Sequence, residues 1–283
     1  MKNRQQTKRK EREKIATPPS PAPTVIAPSP QMDARGMIKM DDAVNLIKGP
    51  GVGFDNVDVI PGSTYKDSST VIVIPSRGMV NHRIITAWQN LIAPMNQKRY
   101  SMFAVGHEVG QAYDAMVKVI LAHPELSKWK YIMTMEDDNI PPPDAHIRLL
   151  ESIEHGTKWD AVSGIYFTKG ELTMPMAYGD PEEYRATGIL DFKPRDIREA
   201  LKHGHLMEVN GIAMGCALWR MDLFREIPPP WFVTVADVVP GQGIMGFTQD
   251  LYFCRQAKLA GKRFLVDFRV KVAHLDINSG IAY

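Results

Sequence analysis

From about residue 70 onward, short apolar runs alternate with longer stretches of helical spacing. "TVIVIP" (70–75) is a continuous apolar strand closed by proline, and "NHRIITAWQNLIAP" sets Ile84, Trp88 and Leu91 at helical intervals. "YSMFAV" (100–105) reads as a second strand, followed by "GQAYDAMVKVILAHP", whose Ala112, Met116, Val119 and Ile120 share one helical face. "KYIMTM" (130–135) is a third strand, and "PPDAHIRLLESIEH" a helix entered through proline with Asp144 in its first turn. "DAVSGIYF" and "GCALWR" add strands, "TQDLYFCRQAKLAG" a helix ended by Gly261, and "RFLVDFRVKVAHL" a last strand. This alternation predicts an α/β layer fold with a mainly parallel central sheet. Such sheets bind ligands beyond the carboxyl ends of their strands.

Residues 1–36 break the pattern. Lys2, Arg4, Lys8, Arg9, Lys10, Arg12 and Lys14 precede "TPPSPAPTVIAPSP". This composition predicts a disordered tail, either an arm attracted to phosphate or an acidic surface, or a solvated extension without a specific role. Residues 37–283 are expected to form one domain.

Composition narrows the classes only modestly. The 283 residues are 44% hydrophobic and 23% charged, with a net charge of +2, ordinary values for a globular protein with a sizeable core. Without a membrane-length apolar run or a hydrophobic signal core, the expectation is a soluble, cytoplasmic protein with no membrane partner. Cys216 and Cys254 stand apart in apolar surroundings, which fits buried thiols better than a metal motif.

The chemistry concentrates where the third strand ends, at Glu136, Asp137 and Asp138. Three adjacent carboxylates repel one another, so partial desolvation demands a cation or strong donors. Hard oxygen ligands suit Mg²⁺, Mn²⁺ or Ca²⁺. The competing interpretation is a solvent-facing acidic turn, with Asp138 or Asn139 capping the next helix.

With its neighbours, the stretch resembles the metal-binding Asp-x-Asp signature of GT-A glycosyltransferases, particularly the family 2-like group. "VIVIPSRG" (71–78) is similar to that family's first strand and nucleotide-contacting loop, and "GQAYDAMVKVIL" to the helix before its acidic strand. Tyr113 and Asp114 depart from the Arg-Asn pair often found there. "GCALWRMDLF" (215–224) resembles the acceptor-side strand and turn. "FTQDLYFCRQAKLAGKRFLVD" (247–267) resembles the helix carrying the catalytic base, with Gln249 in place of the usual Glu and Asp250 retained. "VKVAHLD" supplies His274, where several such enzymes place a further metal ligand.

The resemblance implies a GT-A, Rossmann-like three-layer sandwich with a nucleotide-sugar half over about 70–165 and an acceptor half over about 166–283. It implies transfer of a sugar from a UDP- or GDP-linked donor to a hydroxyl acceptor, dependent on Mn²⁺ or Mg²⁺. Asp138, His274 and Glu136 are then the expected metal ligands. Pro75, Arg77, Glu136, Asp137 and Gly164 are expected to bind the donor, and Asp250 to act as general base, which would make the transfer inverting, whereas some related GT-A enzymes retain configuration.

Each assignment has a structural alternative. His274 could be a satisfied core histidine, Arg77 a surface turn residue, and Gly164 a relief for packing. Asp250 could serve only as a cap, although Thr248 is the better capping type, and a helix N-terminus would keep its pKa low. Residues 228–247, rich in proline and glycine, read as a lid with Trp231 as a stacking surface, or as an ordinary loop over a buried tryptophan. Two other functions compete. A nucleotidyltransferase normally has a lysine-bearing Gly-rich loop after the first strand, which "PSRGMVNHR" lacks. A nucleic-acid binder would rely on the basic tail, which could also bring a transferase to DNA carrying a hydroxylated base; protein and saccharide acceptors are equally open.

Overall fold

The computed structural model describes residues 67–156, 159–198, 204–239 and 243–283. The basic tail and the proposed boundary at residue 37 lie outside the described residues. Seven strands form the central sheet: β1 (Thr70–Ser76), β2 (Arg99–Val105), β3 (Tyr131–Met135), β5 (Ala161–Ile165), β7 (Leu206–Val209), β9 (Cys216–Arg220) and β12 (Phe264–Lys271). Their order is β2-β1-β3-β9-β5-β12-β7. β1 pairs in parallel with β2 and β3, and β5 with β12, while β9 runs antiparallel between β3 and β5, and β7 antiparallel at the edge. Five strands therefore point one way, a Rossmann-like, mostly parallel arrangement.

Alternation along the strands divides the core into two layers. Val71, Val73 and Ile132 face one side with Ala112, Tyr113, Met116 and Ile120 of α2 (Val109–Ala122) and Phe253 and Ala257 of α6 (Gln249–Leu259). Ile72, Ile74, Tyr131 and Met133 face the other, against Leu149 and Ile153 of α3 (Ala145–Ile153) and Leu91 beyond α1 (His82–Gln89). A sheet buried on both faces explains why these strands are nearly continuous apolar runs.

Three features depart from the sequence pattern. Val119 is 54% exposed, because the buried face of α2 centres on Tyr113, Met116, Val117 and Ile120 and leaves Val119 on its flank. The last strand is interrupted. Its register with β5 shifts between Asp267 and Lys271, and a separate β13 (Ala273–His274) pairs with β4 (Asn139–Ile140). Residues 228–247 contain an antiparallel hairpin, β10 (Val235–Val239) with β11 (Gly243–Phe247), where a lid or an ordinary loop was expected. The connections also hold β6 (Ala177–Tyr178), β8 (Gly211–Ile212) and two short helices, α4 (Pro181–Thr187) and α5 (Met221–Glu226). No described helix is long and apolar enough to cross a membrane.

Candidate active site

The parallel strands deliver their carboxyl ends to one edge, and the β4–β13 ladder closes over it. Its register sets His274 opposite Asn139, and the Leu275 N–H donates to the Asp138 carbonyl at 2.7 Å. Two residues from the C-terminal segment thus flank the acids of β3.

The His274 ring is fixed from two sides. Nδ1 lies 2.8 Å from the carbonyl oxygen of Phe167, and Tyr166 meets the ring edge-on at 5.5 Å. A carbonyl only accepts, so Nδ1 carries the hydrogen, and Nε2 is the ring atom left to meet a second partner. It faces Asp138 Oδ2 at 3.7 Å. A proton or a cation between these two atoms would be held by both. The pair is chemically suited to a divalent ion, with the imidazole favouring Mn²⁺ over Mg²⁺. No group of three or more His, Cys, Asp or Glu side chains is placed to hold a metal among the described residues. A cation bound by this pair would thus take its remaining ligands from substrate oxygens and water, a common arrangement at phosphate-binding centres.

The three acids have separate fates. Asp137, buried, accepts the Arg77 backbone N–H at 2.9 Å on one oxygen and the Arg77 guanidinium at 2.8 Å on the other. Both its oxygens hold the loop after β1, which gives Asp137 an anchoring role in the wall of the cleft. Asp138 Oδ2 receives Lys169 Nζ at 2.6 Å, and Asn139 Nδ2 donates to Oδ1 at 3.1 Å. Burial opposes ionisation of Asp138, but His274 and Lys169 outweigh it and hold the carboxyl at about 2. Half-buried Glu136 goes the other way. Burial, with Asp138 and Asp250 nearby, pushes it up to about 8. It is a neutral acid at pH 7, so direct metal ligation by Glu136 would first require loss of its proton.

Asp250 sits in the first turn of α6, buried, with the Leu251 N–H donating to it at 2.8 Å. The low pKa expected from the helix end is overturned. Burial raises the carboxyl above its ordinary value, against the hydrogen bonds from Thr248 and the backbone that work to lower it. Thr248 occupies the N-cap position, yet its side chain makes no capping bond. Asp250 acts electrostatically on Glu136 and on Tyr113, so it belongs to the same end of the molecule as the acids. A cleft of about 320 Å³ is lined by Pro75, Ser76, Arg77, the three acids and Gln249.

Other expected residues lie elsewhere. A Cβ on Gly164 would come within 2.7 Å of the Val270 carbonyl oxygen and within 2.9 Å of Val272, so this glycine admits the irregular part of β12. Packing, not donor contact, explains it. Gly215 has a comparable role under the site, where a Cβ would lie 2.5 Å from Asn139 Nδ2. Trp231 is 3% exposed, donates from its indole to the Ile227 carbonyl at 2.7 Å and packs on Phe224. It is a core residue and not a stacking platform. Cys216 and Cys254 are buried free thiols. The next helix has Asp144 at its N-cap position, without a side-chain capping bond, so neither Asp138 nor Asn139 occupies that place.

Sequence reasoning missed Lys169 and Asn139. Asn139 is fully buried, and its amide bridges Asp138 and Glu136 at 3.1 and 3.3 Å. Its place directly after the acids was a usable signal. Lys169 offered only a single lysine before a glycine in an irregular segment.

No protein-family model matches the chain, and no curated protein matches it. Among solved structures, the crystal structure of A197 from STIV is similar at 18% identity, over 74% of this chain and 86% of that one, with a TM-score of 0.49.

Proposed function

We propose that the chain is a metal-dependent glycosyltransferase of the GT-A type, moving a sugar from a UDP- or GDP-linked donor to a hydroxyl acceptor. The observation that carries this reading is the convergence of Asp138 and His274, 3.7 Å apart, beside a cleft that also includes Arg77 and the start of the helix bearing Asp250. A divalent cation held there would neutralise charge developing on the leaving diphosphate.

The chain's own residues supply the rest. Arg77, anchored through Asp137 with its guanidinium largely exposed, offers donors to phosphate or base. Asp250 accepts the proton of the acceptor hydroxyl as its oxygen bonds to the anomeric carbon and the bond to the diphosphate breaks. Burial makes Asp250 a stronger base than an ordinary carboxylate, which suits that role. A single displacement of this kind inverts the anomeric configuration.

The test is a thermal-shift and turnover panel of UDP-, GDP-, CMP- and dTDP-sugars with and without Mn²⁺. Stabilisation and nucleoside diphosphate release that both require the metal support the reading. Release of pyrophosphate, or turnover indifferent to chelation, contradicts it.

A further inference from the structure

Lys169 occupies the position where an incoming cation would have to bind. Its ammonium lies 2.6 Å from Asp138 Oδ2, the same oxygen that faces His274 Nε2 at 3.7 Å and Arg77 at 3.9 Å. The loop carrying it is closed at its base. Thr168 and Met174 exchange backbone and side-chain hydrogen bonds at 2.9 Å, and Met176 N–H donates to the Tyr166 carbonyl at 2.9 Å. Gly170, with φ +110°, makes the turn immediately after Lys169. The backbone is therefore held beside the acids, and only Thr168 separates Lys169 from Phe167, whose carbonyl orients His274. The lysine side chain itself is 30% exposed and has four rotatable bonds, so it can leave without disturbing the core.

An ammonium at hydrogen-bond distance from a carboxylate oxygen competes with a divalent ion for that same oxygen. The two cations would repel at close range in a partly buried site. Resting on the glycosyltransferase reading, we infer that Lys169 is a built-in counter-ion. It neutralises Asp138 while the site lacks a metal, is expelled when a divalent ion binds, and then pairs with the donor's diphosphate. Metal binding thus works against Lys169, and diphosphate binding works with it, so each ligand promotes the other beyond their direct contact.

The experiment measures two affinities in the full chain. Free Mn²⁺ is followed by its solution EPR signal, and UDP or GDP binding at saturating Mn²⁺ by calorimetry, in wild type, K169M and K169Q. Removing the ammonium is expected to tighten Mn²⁺ binding in the absence of nucleotide by about 10-fold and to weaken nucleotide binding to the metal-loaded protein by a similar factor. A residue that merely supports the loop would weaken both. Mn²⁺ affinity that is equal or weaker in both variants overturns the role of Lys169 and leaves the metal site standing. If wild type and variants alike take up no Mn²⁺, with or without nucleotide, the site reading and this inference fall together.

Discussion

Asp267 within β12 and the acids beyond β3 are both withdrawn from solvent in the same sheet, and their surroundings differ in kind. Asp267, 0% exposed, is saturated. Ser152 Oγ donates to it at 2.6 Å, the Arg269 backbone N–H at 2.9 Å and the Arg269 guanidinium at 2.8 Å. One buried charge meets one cation and two further donors, and nothing is left for a ligand. Among the described residues, four acids near the end of β3 share two permanent cations, Arg77 and Lys169. Arg77 is committed to Asp137 and Lys169 to Asp138, while Glu136 and Asp250 form no ion pair among the described residues and are both pushed up. A saturated buried acid fixes the fold, whereas an under-compensated cluster at the carboxyl edge of a parallel sheet is prepared for a charge from outside.

That contrast can be broken experimentally. The largest expected effect is on turnover. D250N removes the proton acceptor while conserving shape, and kcat should fall about 10³-fold with the melting temperature nearly unchanged. D138A should reduce metal-dependent turnover at least about 100-fold with little loss of stability, because the partly exposed Lys169 that pairs with Asp138 can turn to solvent. D267N should show the inverse. Weakening the hydrogen bonds to this buried charge costs roughly 2–3 kcal/mol, a Tm drop of roughly 5–10 °C, with kcat per folded molecule preserved. If D138A destabilised and D267N silenced turnover, the distinction between the two regions would be lost.

Gly164 sharpens the same comparison with a smaller effect. Its substitution by alanine forces a Cβ against the Val270 carbonyl, 2.7 Å away, and should cost about 2 kcal/mol. A raised KM for the donor at unchanged Tm would return Gly164 to the binding site.

The smallest effect is on pH dependence. Glu136 lies at about 8 in the folded chain against an ordinary 4.5, so the folded state keeps a proton that the unfolded state has released. Its contribution to stability therefore declines as pH rises from 4.5 to 8 and is level above that. His146, lowered from 6.5 to about 4 by burial, works in the opposite direction, but only below 6.5. Urea midpoints compared between pH 6.5 and 8 isolate Glu136, and E136Q should flatten the decline. Equal slopes in the two proteins would remove the evidence for an under-compensated acid.

Much of this was legible in the chain. Strands β1, β3, β5 and β9 and helices α1, α2, α3 and α6 follow apolar periodicity, because a sheet covered on both faces leaves strong signals. Asp138, His274 and Asp250 were legible through motif order, which reflects how parallel strands bring their carboxyl ends together. What escaped depends on backbone detail. The β4–β13 ladder spans two residues on each side, too short for any period to register. Helix α4 carries Asp180 as cap, Pro181 at its start and a left-handed Gly188 at its end, yet its seven residues give no amphipathic pattern. Lys169 returns to the acids only because residues 167–175 fold back on themselves. Trp231 could not be assigned from composition, since "PPPWF" fits a lid or a core equally well.

Diffraction from crystals soaked with Mn²⁺ and UDP or GDP, recorded at the manganese edge, addresses the central claim most directly. The account predicts an anomalous peak within roughly 2.0–2.3 Å of both Asp138 Oδ2 and His274 Nε2, with Lys169 displaced from the carboxylate. A manganese peak bound elsewhere, with the Lys169–Asp138 contact intact, would contradict it.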